Sequence, residues 1–143
     1  MISSQLRTCL VVGGGGWTGS FIVNQLLQES VEYDTSISIH VMDIAVPTSR
    51  PDLALLHQSP IGTNVKVTYH RCDITDYNEV ERVIMKVDPI TVFHTAAMVD
   101  LRKFPSPMLE QINVVGTGNL LRAMTALLDR SNCVCRYFVY TSS

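Results

Sequence analysis

The sequence has little charge, and neither sign dominates. Eleven Lys and Arg residues stand against thirteen Asp and Glu residues, so the 143-residue chain has a formal net charge of −2. Proteins that bind nucleic acid usually concentrate Lys and Arg on one surface. Here these residues are scattered, and the adjacent pair Arg102-Lys103 is typical of an ordinary solvated loop. We therefore expect no nucleic-acid partner.

Cysteines are few, and they do not form a metal-binding pattern. The four cysteines are Cys9, Cys72, Cys133 and Cys135. None forms a Cys-x-x-Cys pair, and no two histidines have a zinc-like spacing. The close pair Cys133-x-Cys135 could bind a metal or oxidise, but partner residues are missing around it. We therefore expect no metal site and reduced thiols, as in an intracellular protein.

Long hydrophobic runs are also missing. Before the first glycines the only apolar stretch is Cys9 to Val12, which is too short for the core of a signal peptide. No segment approaches the roughly 18 apolar residues of a membrane span. We expect a soluble, cytoplasmic chain. A membrane anchor on a longer parent protein, at the endoplasmic reticulum for example, stays open.

Apolar residues are plentiful, and they occur in short runs that alternate with stretches of helical periodicity. The runs predict five strands, at Leu6–Val12, Ile37–Met42, Val65–His70, Ile90–His94 and Arg136–Thr141. The periodic stretches predict helices at Trp17–Gln28, from Thr75 or Asp76 to Val87, and at Met108–Asp129. The segment from Pro47 to Pro60 is rich in turn residues and is compatible with a short helix or a loop.

This alternation predicts an α/β fold with one Rossmann-type, doubly wound parallel sheet. Right-handed crossovers place the helices on both faces of such a sheet. We expect the strand order 3-2-1-4-5. The fifth strand then lies at the sheet edge with its apolar residues half uncovered, which favours aggregation.

A glycine-rich loop follows the first predicted strand. Gly13, Gly16 and Gly19 have the spacing G-x-x-G-x-x-G. Gly13 should adopt torsions that a Cβ disfavours, Gly16 should leave room for a diphosphate, and Gly19 should let the helix pack closely. The amides at the helix N-terminus then point at the phosphates. The pattern predicts a dinucleotide site.

Two other interpretations of the loop are weaker. Four consecutive glycines could form a flexible turn, but such a turn does not need Gly19 inside the next helix, where glycine costs about 1 kcal/mol. A nucleotide-triphosphate loop would need Lys where Ser20 stands.

Asp43 follows the second predicted strand, 24 residues beyond Gly19. A carboxylate at this point can accept both ribose hydroxyls of an adenosine and would repel a 2′-phosphate. Arg50 comes seven residues later, across a proline, and no Arg follows Asp43 directly. NAD is therefore favoured over NADP. The alternative is that Asp43 only begins a turn.

Several blocks in order resemble one known family. They are Val-Val-Gly-Gly-Gly-Gly-Trp-Thr-Gly at 11–19, Val-Met-Asp at 41–43, Cys-Asp-Ile-Thr-Asp at 72–76, Val-Phe-His-Thr-Ala-Ala at 92–97, Asn-Val-Val-Gly-Thr-Gly-Asn-Leu-Leu at 113–121 and Phe-Val-Tyr-Thr-Ser-Ser at 138–143. The chain resembles the N-terminal part of an extended short-chain dehydrogenase/reductase. It is most similar to the 3β-hydroxysteroid dehydrogenase and sterol-4α-carboxylate 3-dehydrogenase branch. The Phe-His-Thr-Ala-Ala and Tyr-Thr-Ser-Ser blocks favour this branch over sugar-nucleotide epimerases and dehydratases.

The resemblance implies that residues 1–143 form an incomplete NAD(P)-binding domain of an oxidoreductase that acts on the CH–OH group of a sterol or steroid. It implies cofactor contacts at Gly13, Gly15, Gly16, Trp17, Thr18, Gly19, Asp43, Asp73, Ile74, Thr95, Ala96, Ala97 and Asn113. Asp73 and Ile74 would border the adenine, and Ala96 and Ala97 would leave room for the nicotinamide ribose. Asp73 could instead only cap a helix or form a turn, and the alanines could only pack at a strand end.

The resemblance also implies roles for polar residues near the later strands. Asn113 would bond to the loop below the active site, whereas a surface Asn is the alternative. His94 could be a general base, but it ends an apolar strand, so a core histidine with its polar atoms satisfied is favoured. Ser143 would hold the substrate oxygen, with Ser142 beside it, while a Tyr assisted by a Lys moves the hydroxyl proton.

The chain departs from the family pattern at three points. No Tyr-x-x-x-Lys pair occurs in the 143 residues, the last strands and the substrate lobe are missing, and Val12 replaces the usual Thr. We therefore expect no steroid or sugar-nucleotide turnover by the chain alone. A non-catalytic NAD-binding module or a truncated isoform is the alternative. A homodimer of the parent protein stays open.

Overall fold

Five short strands form one parallel sheet in the computed structural model, which describes residues 8–34, 36–59, 65–103, 106–130 and 137–141. The strands are β1 (Thr8–Val12), β2 (Ser38–Asp43), β3 (Val67–Arg71), β4 (Thr91–His94) and β5 (Tyr137–Tyr140). They lie in the order β3-β2-β1-β4-β5, and every neighbouring pair is parallel. The predicted Rossmann-type order 3-2-1-4-5 is confirmed.

Helices connect the strands. They are α1 (Trp17–Glu32), α2 (Asp52–Leu56), α3 (Tyr77–Val87), α4 (Pro107–Glu110) and α5 (Thr117–Leu128), with a π-helical segment (Gln111–Gly116) between the last two. The predicted single helix over Met108–Asp129 therefore contains a π-helical stretch. Helix α1 runs one turn beyond the predicted end at Gln28, and the turn-rich segment contains the short helix α2.

The core has two layers, one on each face of the sheet. Side chains of β1 alternate between them, because successive residues of a strand point to opposite faces. Leu10 and Val12 pack with the inward faces of α3 and α5. Cys9 and Val11 pack with α1. All four are fully buried, so β1 is the centre of the molecule.

Helix α3 shows how local sequence sets an element. The Asp76 side chain accepts the amides of Asn78 and Glu79 at 2.9 and 3.3 Å, and this satisfies donors that have no partner in the first turn. Of the two predicted caps, Asp76 is the one observed. The helix ends at Asp88 in a left-handed conformation with φ of 49°. The inward residues are the predicted ones, Val80, Val83, Ile84 and Val87.

The edge strand β5 is uncovered. Tyr137, Val139 and Tyr140 are exposed, while Phe138 is partly buried against the core. This agrees with the predicted half-covered edge. In the part of the chain that the structure describes, no helix combines the length and apolar character needed to cross a bilayer.

The cysteines that the structure describes, Cys9 and Cys72, are buried thiols. Burial raises the pKa of each to about 12, so both remain protonated at neutral pH. Cys133 and Cys135, together with the predicted strand residues Leu6 and Arg136, lie outside the described residues.

Candidate dinucleotide-binding site

An open cleft of about 410 Å³ lies at the carboxyl ends of β1, β2 and β4. Parallel sheets bind ligands at this end, where neighbouring crossovers leave in opposite directions. The lining residues are Gly13, Gly15, Gly16, Met42, Asp43, Ile44, Ala45, Arg50, Cys72, Asp73, Ile74, Thr75, Thr95, Ala96, Ala97, Met108 and Ile112. Most of the predicted cofactor contacts are therefore brought together.

The glycine loop makes a closed turn between β1 and α1. Gly13 has φ of 80°, donates its N–H to the Met42 carbonyl at 2.8 Å, and accepts from the Gly16 amide at 2.9 Å. A Cβ on Gly13 would lie 2.6 Å from the Ala96 nitrogen. A Cβ on Gly19 would overlap the Gly13 carbonyl. Gly13 and Gly19 therefore have the geometry predicted for them.

Helix α1 begins at the cleft. Its N-cap, Gly16, lines the cleft and has no side chain to occupy the first-turn amides, which also have no partner within the helix. These amides and the helix dipole favour an anion. Trp17 and Thr18 do not line the cleft; Trp17 is 93% exposed and leaves the loop unobstructed.

Asp43 ends β2 and faces the glycine loop. One carboxylate oxygen accepts the Gly15 amide at 2.8 Å, and the other accepts the Ala45 amide at 3.0 Å. A Cβ on Gly15 would lie 2.9 Å from the carboxylate, so Gly15 is needed for this approach. Because a carboxylate has about four lone-pair positions, each oxygen can still accept a ligand hydroxyl.

Arg50 also reaches the rim of the cleft, although it comes seven residues after Asp43 in the sequence, across a proline. Its Nη1 donates to the Gly15 carbonyl at 3.3 Å, and its Nη2 lies 2.5 Å from a carboxylate oxygen of Asp52. The chain folds back because the Ser49 and Arg50 amides both donate to the Val46 carbonyl. This position was not predicted, and the turn-forming residues at 47–49 were the only signal for it.

Asp73 and Ile74 form the wall after β3. The Asp73 carboxylate accepts the Thr75 amide and hydroxyl at 2.9 and 2.7 Å, so Asp73 forms the turn that was its alternative role, and it also lines the cleft. Ile74 is buried, and its carbonyl accepts from Asn119 of α5 at 2.9 Å. A Cβ on Gly116 would lie 2.6 Å from Ile74, so the π-helical segment packs directly on this wall.

The opposite wall follows β4. Thr95 donates both its amide and its hydroxyl to the Val12 carbonyl, at 2.9 and 2.8 Å. Ala96 packs on Gly13, and Ala97 is exposed at the cleft. Asn113 does not line the cleft. It exchanges two hydrogen bonds with the Met98 backbone, at 2.7 and 2.9 Å, and so ties the loop to the π-helical segment as expected.

His94 lies in the core. It is fully buried, and its Nε2 lies 2.8 Å from the Thr117 hydroxyl, while Nδ1 has no hydrogen-bond partner among the described residues. The predicted core position is correct, but only one of its two ring nitrogens is satisfied. Burial lowers the pKa of His94 to about 4, so the ring is neutral at pH 7. The expected catalytic residues Ser142 and Ser143 lie outside the described residues.

Comparisons with known proteins identify a family and a relative that match most of the chain. The family described as 3-beta hydroxysteroid dehydrogenase/isomerase matches residues 10–143. A dTDP-glucose 4,6-dehydratase of Neisseria meningitidis serogroup B is 30% identical over 123 residues, which are 85% of this chain and 32% of the relative. The chain thus spans about a third of the length of this relative.

Solved structures of an epimerase and of a dehydrogenase/reductase are also similar to this chain. A complex of Thermus thermophilus UDP-glucose 4-epimerase with NAD has a TM-score of 0.62 and 30% identity, over 82% of this chain and 33% of that one. A short-chain type dehydrogenase/reductase from Mycobacterium ulcerans has a TM-score of 0.75 over 99% of this chain and 53% of that one. Its identity of 22% shows a shared fold alone.

Proposed function

The chain belongs to the 3-beta hydroxysteroid dehydrogenase/isomerase family, and from this premise we propose that it supplies the NAD-binding part of an oxidoreductase acting on an alcohol carbon. The observation that carries the proposal is the contact between the glycine loop and Asp43. The amide end of α1 and the Asp43 carboxylate line one cleft, and this arrangement supports the binding of a diphosphate beside a ribose.

The residues present fit a bound dinucleotide. A Cβ on Gly16, which lines the cleft, would have only the Gly13 carbonyl within 4 Å, so this glycine leaves the loop without a side chain on its open side, where a diphosphate would lie. Asp43 would accept the adenosine ribose hydroxyls, and Asp73 with Ile74 would border the adenine. Ala97 would leave room at the nicotinamide end. A bound NAD would supply the hydride acceptor for the alcohol carbon, and this part of the chain would bind and orient the cofactor.

The finer proposal is that the alcohol belongs to a sterol or steroid. Ala97 is the last residue of this loop that lines the cleft, and the chain continues from it through Val99 and Leu101, which are 73% and 94% exposed. Met108 lines the cleft. Exposed apolar side chains beside a binding cleft favour a ligand with apolar surface. A sterol would cover them, whereas a nucleotide diphosphate would not.

A nucleotide sugar is the second candidate, because the relatives at 30% identity are a dTDP-glucose dehydratase and a UDP-glucose epimerase. Its diphosphate would need cationic partners at the rim. Arg50 at the rim and Arg102 in the loop after β4 already pair with the carboxylates of Asp52 and Asp100. Because both guanidinium groups are paired, the site favours an apolar ligand over a second diphosphate.

Calorimetric titration of the chain with NADH and NADPH tests the cofactor proposal. NADH should bind more tightly, and Asp43→Ala should weaken NADH binding about tenfold to a hundredfold, because charged hydrogen bonds to the ribose are lost. The preference over NADPH should shrink as well. Asp129→Ala removes an exposed carboxylate at the far end of α5 and serves as the control. Equal affinities of the unmutated chain for both cofactors would contradict the role of Asp43.

Leu101→Asp tests the substrate class in the full-length protein. A charge on the apolar rim should raise KM for a sterol alcohol several-fold, because each buried methylene contributes about 0.8 kcal/mol. NADH affinity should stay unchanged. Steady-state oxidation of a sterol alcohol and of UDP-glucose, each with NAD, would measure this. Turnover of UDP-glucose that is insensitive to Leu101→Asp would favour the nucleotide-sugar class instead.

A further inference from the structure

The short helix α2 carries a buried histidine directly behind the glycine loop. His57 follows the last residue of α2 and is 5% exposed. Its Nε2 lies 3.0 Å from the Ser20 hydroxyl in α1, and its Nδ1 lies 2.8 Å from the Tyr69 hydroxyl in β3. A polar side chain buried this deeply has to find hydrogen-bond partners, and here it joins three separate elements.

The hydrogen bonds run in one direction. Ser20 donates its hydroxyl hydrogen to the Gly14 carbonyl at 3.0 Å, so its oxygen accepts from His57. His57 therefore has its proton on Nε2, and Nδ1 accepts from the Tyr69 hydroxyl at 2.8 Å, a much shorter contact than the 3.5 Å between that hydroxyl and the Leu53 carbonyl. Burial lowers the pKa of His57, with smaller opposing effects from the Gly14 carbonyl and Asp43, so the neutral ring that this order requires is present at neutral pH.

The hydrogen bonds from Tyr69 through His57 and Ser20 form a relay that ends at one peptide unit of the glycine loop. The carbonyl of Gly14 accepts from Ser20, and the amide of the same unit, on Gly15, donates to Asp43 at 2.8 Å. Because a peptide unit is planar, its C=O and N–H point in opposite directions, and fixing one fixes the other. Between two glycines this unit can rotate at little steric cost, so side chains have to hold it.

We propose that His57 is a positioning residue for cofactor selection, which acts through Ser20 on the Gly14–Gly15 peptide and through that peptide on the carboxylate of Asp43. The inference rests on the proposed NAD-binding function. Loss of the relay would allow the peptide to turn, remove the Gly15 donor from Asp43, and leave the carboxylate without its fixed direction. Discrimination between NADH and NADPH would then fall, not affinity alone.

The test compares His57→Leu, Ser20→Ala and His57→Gln, each titrated with NADH and NADPH in the calorimeter. His57→Leu and Ser20→Ala should each reduce the NADH-to-NADPH affinity ratio about fivefold to tenfold, the effect of one lost buried hydrogen bond. His57→Gln keeps an N–H donor near the Nε2 position and should restore most of the ratio. Tyr69→Phe removes the hydrogen bond to His57 Nδ1, which is further from the Gly14–Gly15 peptide, and should reduce the affinity ratio less.

His70→Gln is the matched control, because His70 is similarly buried but bonds to His40 instead of the relay. It should leave the ratio unchanged even if it lowers the melting temperature. An unchanged ratio in folded His57→Leu and Ser20→Ala variants would overturn this inference alone. A parent chain that binds neither cofactor would overturn the proposed function as well.

Amide exchange at Gly15 gives a second readout that needs no cofactor. The Gly15 amide should exchange slowly in the parent chain, because Asp43 accepts it, and about fivefold to tenfold faster in Ser20→Ala. Ser20→Ala removes a single oxygen atom and so spares the fold. Unchanged exchange at Gly15 in this variant would contradict the proposal even if cofactor binding changed.

Discussion

The two sides of the cleft differ in how their groups find partners. On the β1–β2 side, the loop amides, Asp43 and the Ser20 hydroxyl bond to one another, and the surrounding strands are buried. On the β4–β5 side, Val99, Leu101 and most of β5 present apolar side chains to solvent. The polar groups of the first side find their partners within the described residues, whereas the second side presents apolar surface to solvent.

The difference shows which part of a site can form from local sequence. The glycine loop and the end of β2 are brought together by adjacent parallel strands, so their geometry follows directly from strand pairing. Among the described residues, the loop after β4 is held by Thr95 on Val12, by Asn113 on Met98, and by the Asp100 carboxylate, which accepts the Ser106 amide and pairs with Arg102. The Val99 and Leu101 side chains of this loop are 73% and 94% exposed. Substitutions should therefore have large structural effects on the first side and small ones on the second.

Gly13→Ala should have the largest effect, because it disrupts the glycine loop on the β1–β2 side of the cleft. A positive φ costs a non-glycine residue about 1–3 kcal/mol, and the new Cβ would also meet the Ala96 backbone at 2.6 Å. We expect the free energy of unfolding to fall by about 3 kcal/mol or more and NADH binding to be lost. Urea unfolding and calorimetric titration would measure the two effects.

Gly118→Ala is the matched control for that substitution. Gly118 is in α5, and a Cβ there would have no heavy atom within 4 Å. Alanine should therefore stabilise the helix by about 0.5–1 kcal/mol. A Gly13→Ala variant as stable as the parent, with intact NADH binding, would show that the tight turn is not needed.

Acidification should lower the free energy of unfolding through protonation of His94, which lies on the β4–β5 side. This ring is buried beside Thr117 and Tyr140, and its pKa is about 4, whereas an unfolded histidine has a pKa of about 6.5. The unfolded chain therefore binds the proton more readily between these values. The contribution of His94 to stability is complete above about pH 6.5 and is lost as the pH falls toward 4.

The expected loss is about 2–3 kcal/mol, from about 1.36 kcal/mol per pKa unit. His70, whose pKa burial also lowers to about 4, adds to the same slope, so the parent must be compared with His94→Gln. That variant keeps a polar partner for the Thr117 hydroxyl but cannot titrate. The difference in unfolding free energy between about pH 7.5 and about pH 4.5 should shrink by this amount. Parallel pH profiles for the two proteins would assign the acid sensitivity to other groups.

Strand order and core could be read from the sequence because apolar periodicity and strand pairing follow local rules. The π-helical segment could not, because the apolar pattern over 108–129 is compatible with a continuous helix. Its only signals were Asn113 and Gly116, which are poor helix formers. The structure gives both a reason, since Asn113 bonds to Met98 and Gly116 makes room for Ile74.

The candidate site could be predicted only where its residues belong to a motif. Gly13, Gly19 and Asp43 follow from spacing. Arg50 and His57 were not identified as parts of the site, because their positions depend on α2 folding back against the loop, a contact without a local pattern. A histidine beside the apolar residues of α2 was the one available hint of burial.

Val139→Lys should have the smallest effect on stability and sharpen the contrast between the two sides. Val139 is an exposed residue of the edge strand, so its replacement leaves the core unchanged and should alter the free energy of unfolding by less than about 0.5 kcal/mol. A lysine on an exposed edge opposes strand-to-strand association. Light scattering should therefore show less self-association than in the parent chain, while NADH affinity stays the same. If the parent is monomeric at all accessible concentrations and the substitution lowers its stability by more than about 1 kcal/mol, the edge is better satisfied than its exposure indicates.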